Sequence, residues 1–249
     1  MDRLALLAAA GLLAGTMNAI AGGGSFASFP AMVFAGLPAV AANASSTVAL
    51  FPGTIASAWA YRGGFVQVGD MRMRHMLPVT VAGGLCGALL LLHTPGHLFN
   101  LVIPWLLLLA TFTFAFGDHV RAALEHRLRA GPAVLLTVQF IISIYGGYFG
   151  GAVGLMMMAA WALLTERFDA KTMAPARTIL ISAANAAAVI LFIASGVVRW
   201  PETLAVLAGA VAGGYGGAQL GRRLPRGVIR TFVLLLTATI TAVFFRRVL

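Results

Sequence analysis

The sequence predicts an all-α, polytopic membrane protein of about eight to ten helical segments in two inverted repeats, each interrupted by a glycine-broken helix or hairpin. Three observations carry that prediction. The 249 residues are 60% hydrophobic and only 10% charged, with a mean hydropathy of +0.94, where an ordinary soluble domain has about 25% charged residues. Long apolar runs follow one another along the whole chain with short polar gaps between them. Finally, Val81 to Leu90 (VAGGLCGALL) returns as Val211 to Leu220 (VAGGYGGAQL), seven of ten identical at an offset of 130 residues.

Too few polar side chains exist to cover a soluble protein of this size, so most of the surface faces acyl chains. The apolar segments run from Leu4 to Ala21, Ser25 to Ala35, Ala39 to Ala60, Met76 to Leu92 and Leu98 to Phe116. Five more run from Pro132 to Phe149, Ala152 to Thr165, Met173 to Ala194, Thr203 to Leu220 and Val228 to Phe245. Helix is the required conformation, because hydrocarbon offers no partner to a sheet edge and no alternating ten-residue strands are present. The first run follows Arg3 and is rich in alanine, as a cleaved signal would be, but its length approaches a full span.

The offset of 130 lays Gly24 on Gly154, and small insertions bring Ala42 to Thr47 opposite Met173 to Thr178 and Gly63 opposite Gly196. A tandem duplication follows, with a first repeat over 1–117, a cytoplasmic linker over 118–131 and a second repeat over 132–249. In each half a glycine cluster (Gly22-Gly23-Gly24, then Gly150-Gly151) precedes an unusually short segment. Interrupted segments at matching places in two halves point to a transporter's binding site. If each pair forms a hairpin that enters and leaves on one side, the halves are inverted.

The basic residues test that arrangement. Thirteen of the 17 then share one side (Arg62, Arg72, Arg74, Arg121, Arg127, Arg129, Arg167, Lys171, Arg177, Arg222, Arg223, Arg226 and Arg230), which the positive-inside rule assigns to the cytoplasm. Arg3, Arg199, Arg246 and Arg247 fall on the other side, so both termini are expected to be periplasmic. The formal charge of +10 thus belongs to loops, with no basic helix face for nucleic acid.

Catalytic signatures are absent: there is no phosphate loop, no His-Glu-x-x-His and no Gly-x-Ser-x-Gly elbow. His93 and His97 have the spacing of helical metal ligands, but Pro95 and Gly96 lie between them and make a turn instead. A single cysteine, Cys86, excludes an intrachain disulfide and a paired-cysteine zinc site. All seven acidic residues are terminal or in loops, which removes the buried carboxylate relay of many proton-coupled carriers.

What the spans do hold is polar and neutral, with one nearby cation. Asn18, Ser25 and Ser28 surround the first break; Asn43, Ser45, Ser46 and Thr47 lie on the following helix; Gln139, Ser143, Tyr145 and Tyr148 precede the second break; and Thr178, Ser182, Asn185 and the basic Arg177 follow it. Freed amides at a broken helix, joined by hydroxyls and one guanidinium, suit an anion. Each group also has a plainer reading. Hydroxyls and amides bridge membrane helices, Arg177 can snorkel to the interface, and glycine pairs such as Gly11/Gly15, Gly83/Gly87, Gly147/Gly151, Gly213/Gly217 and Gly217/Gly221 serve close packing.

Gly15-Thr16-Met17-Asn18-Ala19-Ile20-Ala21-Gly22-Gly23-Gly24-Ser25, then Phe29-Pro30, then Ala42 to Thr47 resemble the first half-signature of the sulfite exporter TauE/SafE family. Gly146 to Gly154 resembles its second glycine-rich motif, and Ala174-Pro175-Ala176-Arg177 stands where that motif's basic residue occurs. The sequence departs from the pattern at Pro175 and at Ala152-Val153, where a third glycine is frequent. The resemblance spans the chain and implies a multi-pass transporter of the bacterial inner membrane that moves sulfite, organosulfonates or related organosulfur and carboxylate anions.

The expectation is therefore a secondary carrier without cofactor or metal, working by alternating access. Its anion site is expected to involve Asn18, Gly22, Gly23, Gly24, Ser25, Asn43, Ser46, Tyr148, Gly150, Gly151 and Arg177. Expected partners are the small anion and membrane lipid, with a homodimer allowed and no nucleic acid. The alternative is a membrane-embedded enzyme acting on a lipid or quinone, for which His75, His119, His126 and Asp118 are the only material.

Overall fold

In the computed structural model, which describes residues 3–21, 23–60, 67–68, 71–124, 131–165, 170–221 and 226–248, the chain is almost entirely helical. Ten helices stand among the described residues: α1 (Arg3–Ala21), α2 (Ser25–Phe34), α3 (Ala39–Ala60), α4 (Met73–His93), α5 (Gly96–Leu124), α6 (Pro132–Tyr148), α7 (Val153–Leu164), α8 (Ala170–Ala194), α9 (Trp200–Gly221) and α10 (Arg226–Val248). Each matches one apolar segment of the sequence. The chief differences lie at polar ends, where hydropathy fades before helical hydrogen bonding does. α5 thus runs on to Leu124, into the stretch assigned to the linker, through residues such as Ala122, Ala123 and Leu124 that favour helix.

A hairpin of two-residue strands, β1 (Gln67–Val68) and β2 (Met71–Arg72), leads into α4 and was not legible in the sequence. Val68 anchors it by burying its side chain in a methionine-rich cluster with Met76, Met157 and Met173.

Among the described residues four helical stretches are long and apolar enough to cross a membrane: Ala39–Trp59, Met73–His93, Gly96–Phe116 and Thr172–Ala194. α1, α2, α6 and α7 are shorter apolar helices, and α9 and α10 complete the bundle. Large side chains such as Leu90, Leu101, Phe112, Ile141, Ile190 and Leu235 face outward, as a lipid-solvated surface requires. Trp59 at the end of α3 and Trp200 at the start of α9 are exposed where indole rings settle at membrane interfaces.

Two glycine seams hold the helices together. Along α1 and α9, a Cβ at Gly11, Gly15, Gly209 or Gly213 would collide with a backbone carbonyl of the facing helix, that of Val206, Ala210, Ala8 or Leu12 respectively. Along α4 and α6, a Cβ at Gly83, Gly87 or Gly147 would meet the carbonyls of Phe140, Ile144 and Gly84. Lipid tails provide no hydrophobic drive between helices, so such close backbone approach supplies the association through dispersion contacts. The packing role foreseen for these glycines holds, whereas Gly151 instead abuts the Phe149 ring.

Matching α1–α5 in order with α6–α10 exchanges the principal contacts among themselves. The α1–α9 pair corresponds to α6–α4, α3–α9 to α8–α4, and α5–α7 to α10–α2, while α3–α8 and α5–α10 map onto themselves. Thr111 and Thr241, separated by the same 130 residues as the sequence repeat, share a hydrogen bond between α5 and α10 (Oγ1 to Oγ1, 3.2 Å). α3 and α8 run antiparallel. The N–H of Arg199, just beyond α8, donates to Ser45 Oγ near the start of α3 (2.9 Å), and β1, beyond the end of α3, packs on α8.

Candidate functional site

Both interruptions foreseen in the sequence are present as real breaks. α1 ends at Ala21 and α2 begins at Ser25; α6 ends at Tyr148 and α7 begins at Val153. Ending a helix frees carbonyls and starting one frees amides, so each break needs partners for its backbone. At the first, Gly24 O accepts the N–H groups of Ala27 (3.0 Å) and Ser28 (3.2 Å) and the Ser28 hydroxyl (3.2 Å). Ser28 Oγ in turn lies 2.6 Å from Ser46 Oγ on α3, fixing α2 against that helix.

At the second break the Asn43 side chain crosses from α3 and donates Nδ2–H to Tyr148 O (2.9 Å), while the N–H of Phe149 donates to Tyr145 O (2.9 Å). Gly150 and Ala152 adopt positive φ of 80° and 57°. Both Asn43 and Ser46 are almost fully buried. The Asn43 amide N–H and the Ser46 hydroxyl are engaged in helix contacts, and Tyr148 sends its hydroxyl toward Thr94 Oγ1 (3.4 Å).

A cleft of about 250 Å³ opens where α1, α3, α7 and α8 converge. Asn18 and Ala19 reach it from the last turn of α1, Gly154 and Leu155 from the first turn of α7, Thr54 and Ser57 from α3, and Arg177, Thr178 and Ser182 from α8. Asn18 is half-buried and has no hydrogen-bond partner among the described residues, so its amide offers both a donor and an acceptor to the cleft. Gly154 makes room for the arginine stem. A Cβ there would lie 3.2 Å from Arg177 Cδ and 2.9 Å from Ile181 Cδ1.

The hydroxyls around the cleft are each tethered to a backbone carbonyl: Thr54 to Phe51 O (2.8 Å), Ser57 to Gly53 O (2.9 Å) and Thr178 to Ala174 O (2.9 Å). Ser182 Oγ donates across to Thr54 O (2.8 Å) and ties α8 to α3 directly below the opening. Among the described residues no carboxylate lines this cleft. A guanidinium and an amide in a partly dehydrated recess provide donors for an oxyanion, and the described lining holds no negative charge to repel one.

The structure therefore brings together Asn18 and Arg177, and it separates them from the other expected residues. Asn43 and Tyr148 meet each other at the second break, Ser46 meets Ser28, and Ser25 opens α2 outside the lining set. Gly23 and Gly24 are buried, with Gly24 wedged against Ala14 O and Asn18 Cβ; Gly151 is buried against Phe149 and Ala110. Gly22 lies outside the described residues. Thr54, Ser57 and Gly154 join the cleft without having been singled out for it. Thr54 and Ser57 lie three apart near one end of α3, a spacing that puts both on one helix face and was the available signal.

A second buried polar group joins α4, α6 and α7. Gln139 donates Nε2–H to Thr80 Oγ1 (2.9 Å) and accepts the Trp161 indole N–H (3.1 Å). These groups satisfy one another and stand apart from the described lining of the Asn18–Arg177 cleft. Of the four side chains available to the embedded-enzyme alternative, only His75 is described, exposed at the surface beside Arg74. No cluster of three or more metal-ligating side chains occurs among the described residues, and His93 Nδ1 is engaged with Leu89 O (2.8 Å).

Comparison with known proteins places the chain among membrane transporters. The sequence model of the family described as Sulfite exporter TauE/SafE matches residues 7–244. The probable membrane transporter protein YfcA of Escherichia coli K12 is 26% identical over 232 residues, covering 93% of this chain and 85% of that protein. A probable membrane transporter protein of Haemophilus influenzae is 27% identical over 247 residues (97% and 94%), and probable membrane transporter protein ORF9 of a Sinorhizobium species is 29% identical over 224 residues (88% and 82%). No solved structure matches.

Proposed function

The chain belongs to the sulfite exporter TauE/SafE family of membrane transporters, and from that premise we propose that it is a secondary carrier of small oxyanions, of the sulfite, sulfonate or carboxylate class, that binds its cargo at the Asn18–Arg177 cleft. The single observation that carries this reading is the composition of the cleft: among the described residues it is lined by one guanidinium, one amide without a hydrogen-bond partner and no carboxylate, contributed by helices of both halves of the sequence repeat. A cleft built across two halves changes shape when one half moves relative to the other, which is the requirement of alternating access. The exchange of contacts between halves and the antiparallel α3–α8 pair support an inverted arrangement of the repeats. The distribution of basic loops supports an inner-membrane orientation with this cleft toward the cytoplasm and both termini periplasmic.

The Arg177 guanidinium would bind an oxyanion through paired N–H donors, Asn18 would contribute a third, and the hydroxyls of Thr54 and Ser57 can rotate toward further oxygens. Purified protein in liposomes, assayed for uptake of labelled sulfite and small sulfonates, tests the reading. Arg177→Ala should lower flux by about a hundredfold, the loss of a charge-assisted hydrogen-bonded pair, while Arg177→Lys retains part of it. Normal flux of every anion in the alanine variant removes the role of the cleft, and product formation without flux would favour the enzyme alternative.

A further inference from the structure

The cleft has a counterpart at the other end of α3. A second cavity, also of about 250 Å³, is lined by Leu37 and Pro38 of the α2–α3 turn, Ala39, Asn100 of α5, and Phe244 and Arg247 of α10. Ala39 of this cavity and Thr54 of the first are 15 residues apart on one helix, about 22 Å along its axis. Among the described residues each cavity is lined by one arginine and one asparagine and by no acidic residue.

The guanidinium of Arg247 lies over the Phe34 ring with Cζ 4.4 Å from its centroid. Stacking uses the face of the guanidinium plane and leaves its in-plane N–H donors for a ligand. Asn100 is exposed and has no hydrogen-bond partner among the described residues.

From the second cavity a chain of aromatic rings leads to the second break. Phe244, a wall of the second cavity, stacks on Phe29 of α2 (5.8 Å between centroids), and Phe29 meets Phe149 of the second break edge-on (5.7 Å). All three are buried. The sequence repeat shows what these rings replace. The offset of 130 pairs Phe149 with Ala19 and Phe29 with Ala159, and Ala19 lines the open cleft. One end of the molecule thus has small residues and an opening where the other has two phenylalanines and a seal.

We propose that the Asn100–Arg247 cavity is a second binding site for the same class of small oxyanion, the opposite mouth of one path, and that Phe29, Phe149 and Phe244 form the barrier separating it from the Arg177 cleft. The path rests on the carrier reading; the anion site at Arg247 does not. A single native cysteine, exposed Cys86, makes the test direct. In a Cys86→Ser background, Asn100→Cys is labelled with sulfonatoethyl methanethiosulfonate, an anionic sulfonate, and with its cationic trimethylammonium analogue, in intact cells and in inverted vesicles.

Measured against its rate with a free thiol in solution, the anionic reagent should gain about tenfold over the cationic one because a guanidinium lines the cavity. Arg247→Gln should erase that preference, and methanesulfonate should slow labelling only when Arg247 is present. Ser57→Cys should react from the opposite face of the membrane to Asn100→Cys, and from both faces once Phe149→Ala, or Phe29→Ala if the first variant fails to reach the membrane, is added. Equal rates with and without Arg247, or no protection by methanesulfonate, overturn the site. Reaction of Ser57→Cys from the Asn100 face that is as fast with all three phenylalanines intact as in the Phe149→Ala variant overturns the barrier. Sulfonate flux in liposomes containing the Cys86→Ser protein is measured in parallel; protected labelling without flux retains the site and removes the carrier reading alone.

Discussion

Gly24 and Gly150 stand at the two interruptions for opposite reasons. Gly24 has ordinary right-handed backbone (φ −57°), but a Cβ there would lie 2.6 Å from Ala14 O and 3.0 Å from Asn18 Cβ. Gly150 has room, its nearest neighbour being Gly146 O at 3.5 Å, but its φ is +80°. The first break is a glycine site because of space, the second because of handedness. Apparently equivalent glycine clusters therefore hold their breaks by different physics, and the two halves need not respond alike to the same substitution.

The sharpest way to break that contrast is to add a methyl group at each. Gly24→Ala drives a Cβ into backbone of α1, which cannot retreat as a flexible side chain would, and should destabilise by about 3 kcal/mol, the upper part of the range for overpacking. Gly150→Ala should cost about 1–2 kcal/mol, the penalty of a left-handed residue with a Cβ. Asparagine, which tolerates that conformation, should cost less than alanine at 150 and more than alanine at 24. Unfolding of the purified variants in mixed detergent micelles reads all four; the same ranking at both positions would mean that one constraint governs both breaks.

Next in size is the side chain that closes the second break. Asn43→Ala leaves Tyr148 O buried without its donor and should cost about 1–3 kcal/mol. Ser46→Ala, at the first break, should cost only about 1 kcal/mol, because Ser28 Oγ keeps its bond to Gly24 O when the Ser46 hydroxyl is gone. Thermal unfolding midpoints compare the pair, and equal losses would contradict the assignment of these residues to structural rather than interchangeable roles.

Much of this architecture was legible in the residues. Hydrocarbon imposes so strong a requirement on backbone hydrogen bonding that all ten segments could be located to within a few residues, apart from the polar extension of α5. Both glycine breaks and the small-residue seams were equally plain. The partners of polar residues were not. Asn43 looks like a binding residue because an amide in an apolar run invites a ligand, yet its partner is a carbonyl 105 residues away that no local pattern announces. Only tertiary packing separates an amide whose N–H is engaged in this way from Asn18, whose surroundings in sequence are just as apolar.

Arg177 tests how the space at the second break serves the cleft. Gly154 occupies the position matched with Gly24, and here too a methyl group would collide, but with the tip of Ile181 and the stem of Arg177 rather than with backbone. Side chains can give way, so Gly154→Ala should fold nearly normally, displace the guanidinium, and raise the half-saturating anion concentration by about three- to tenfold with little change in maximal flux. A fall in maximal flux at unchanged half-saturation would place the effect of Gly154 in movement of α7 instead.

The smallest effect concerns the residue on which the second break departs from its own logic. Ala152 precedes α7 with φ +57°, a left-handed conformation in which its Cβ is crowded by the backbone. Ala152→Gly relieves that crowding in the folded state and adds freedom to the unfolded chain, two terms of opposite sign and similar size. The steric term, about 1–2 kcal/mol for a left-handed residue, exceeds the entropic term of about 0.4–1 kcal/mol, so a net gain of about 0.5 kcal/mol is expected. Because Ala152 abuts the first turn of α7 that lines the cleft, the same substitution should leave anion affinity unchanged if the break acts as a fixed hinge. A stabilised variant with altered affinity would instead show that strain at Ala152 sets the position of Gly154 and, through it, of Arg177.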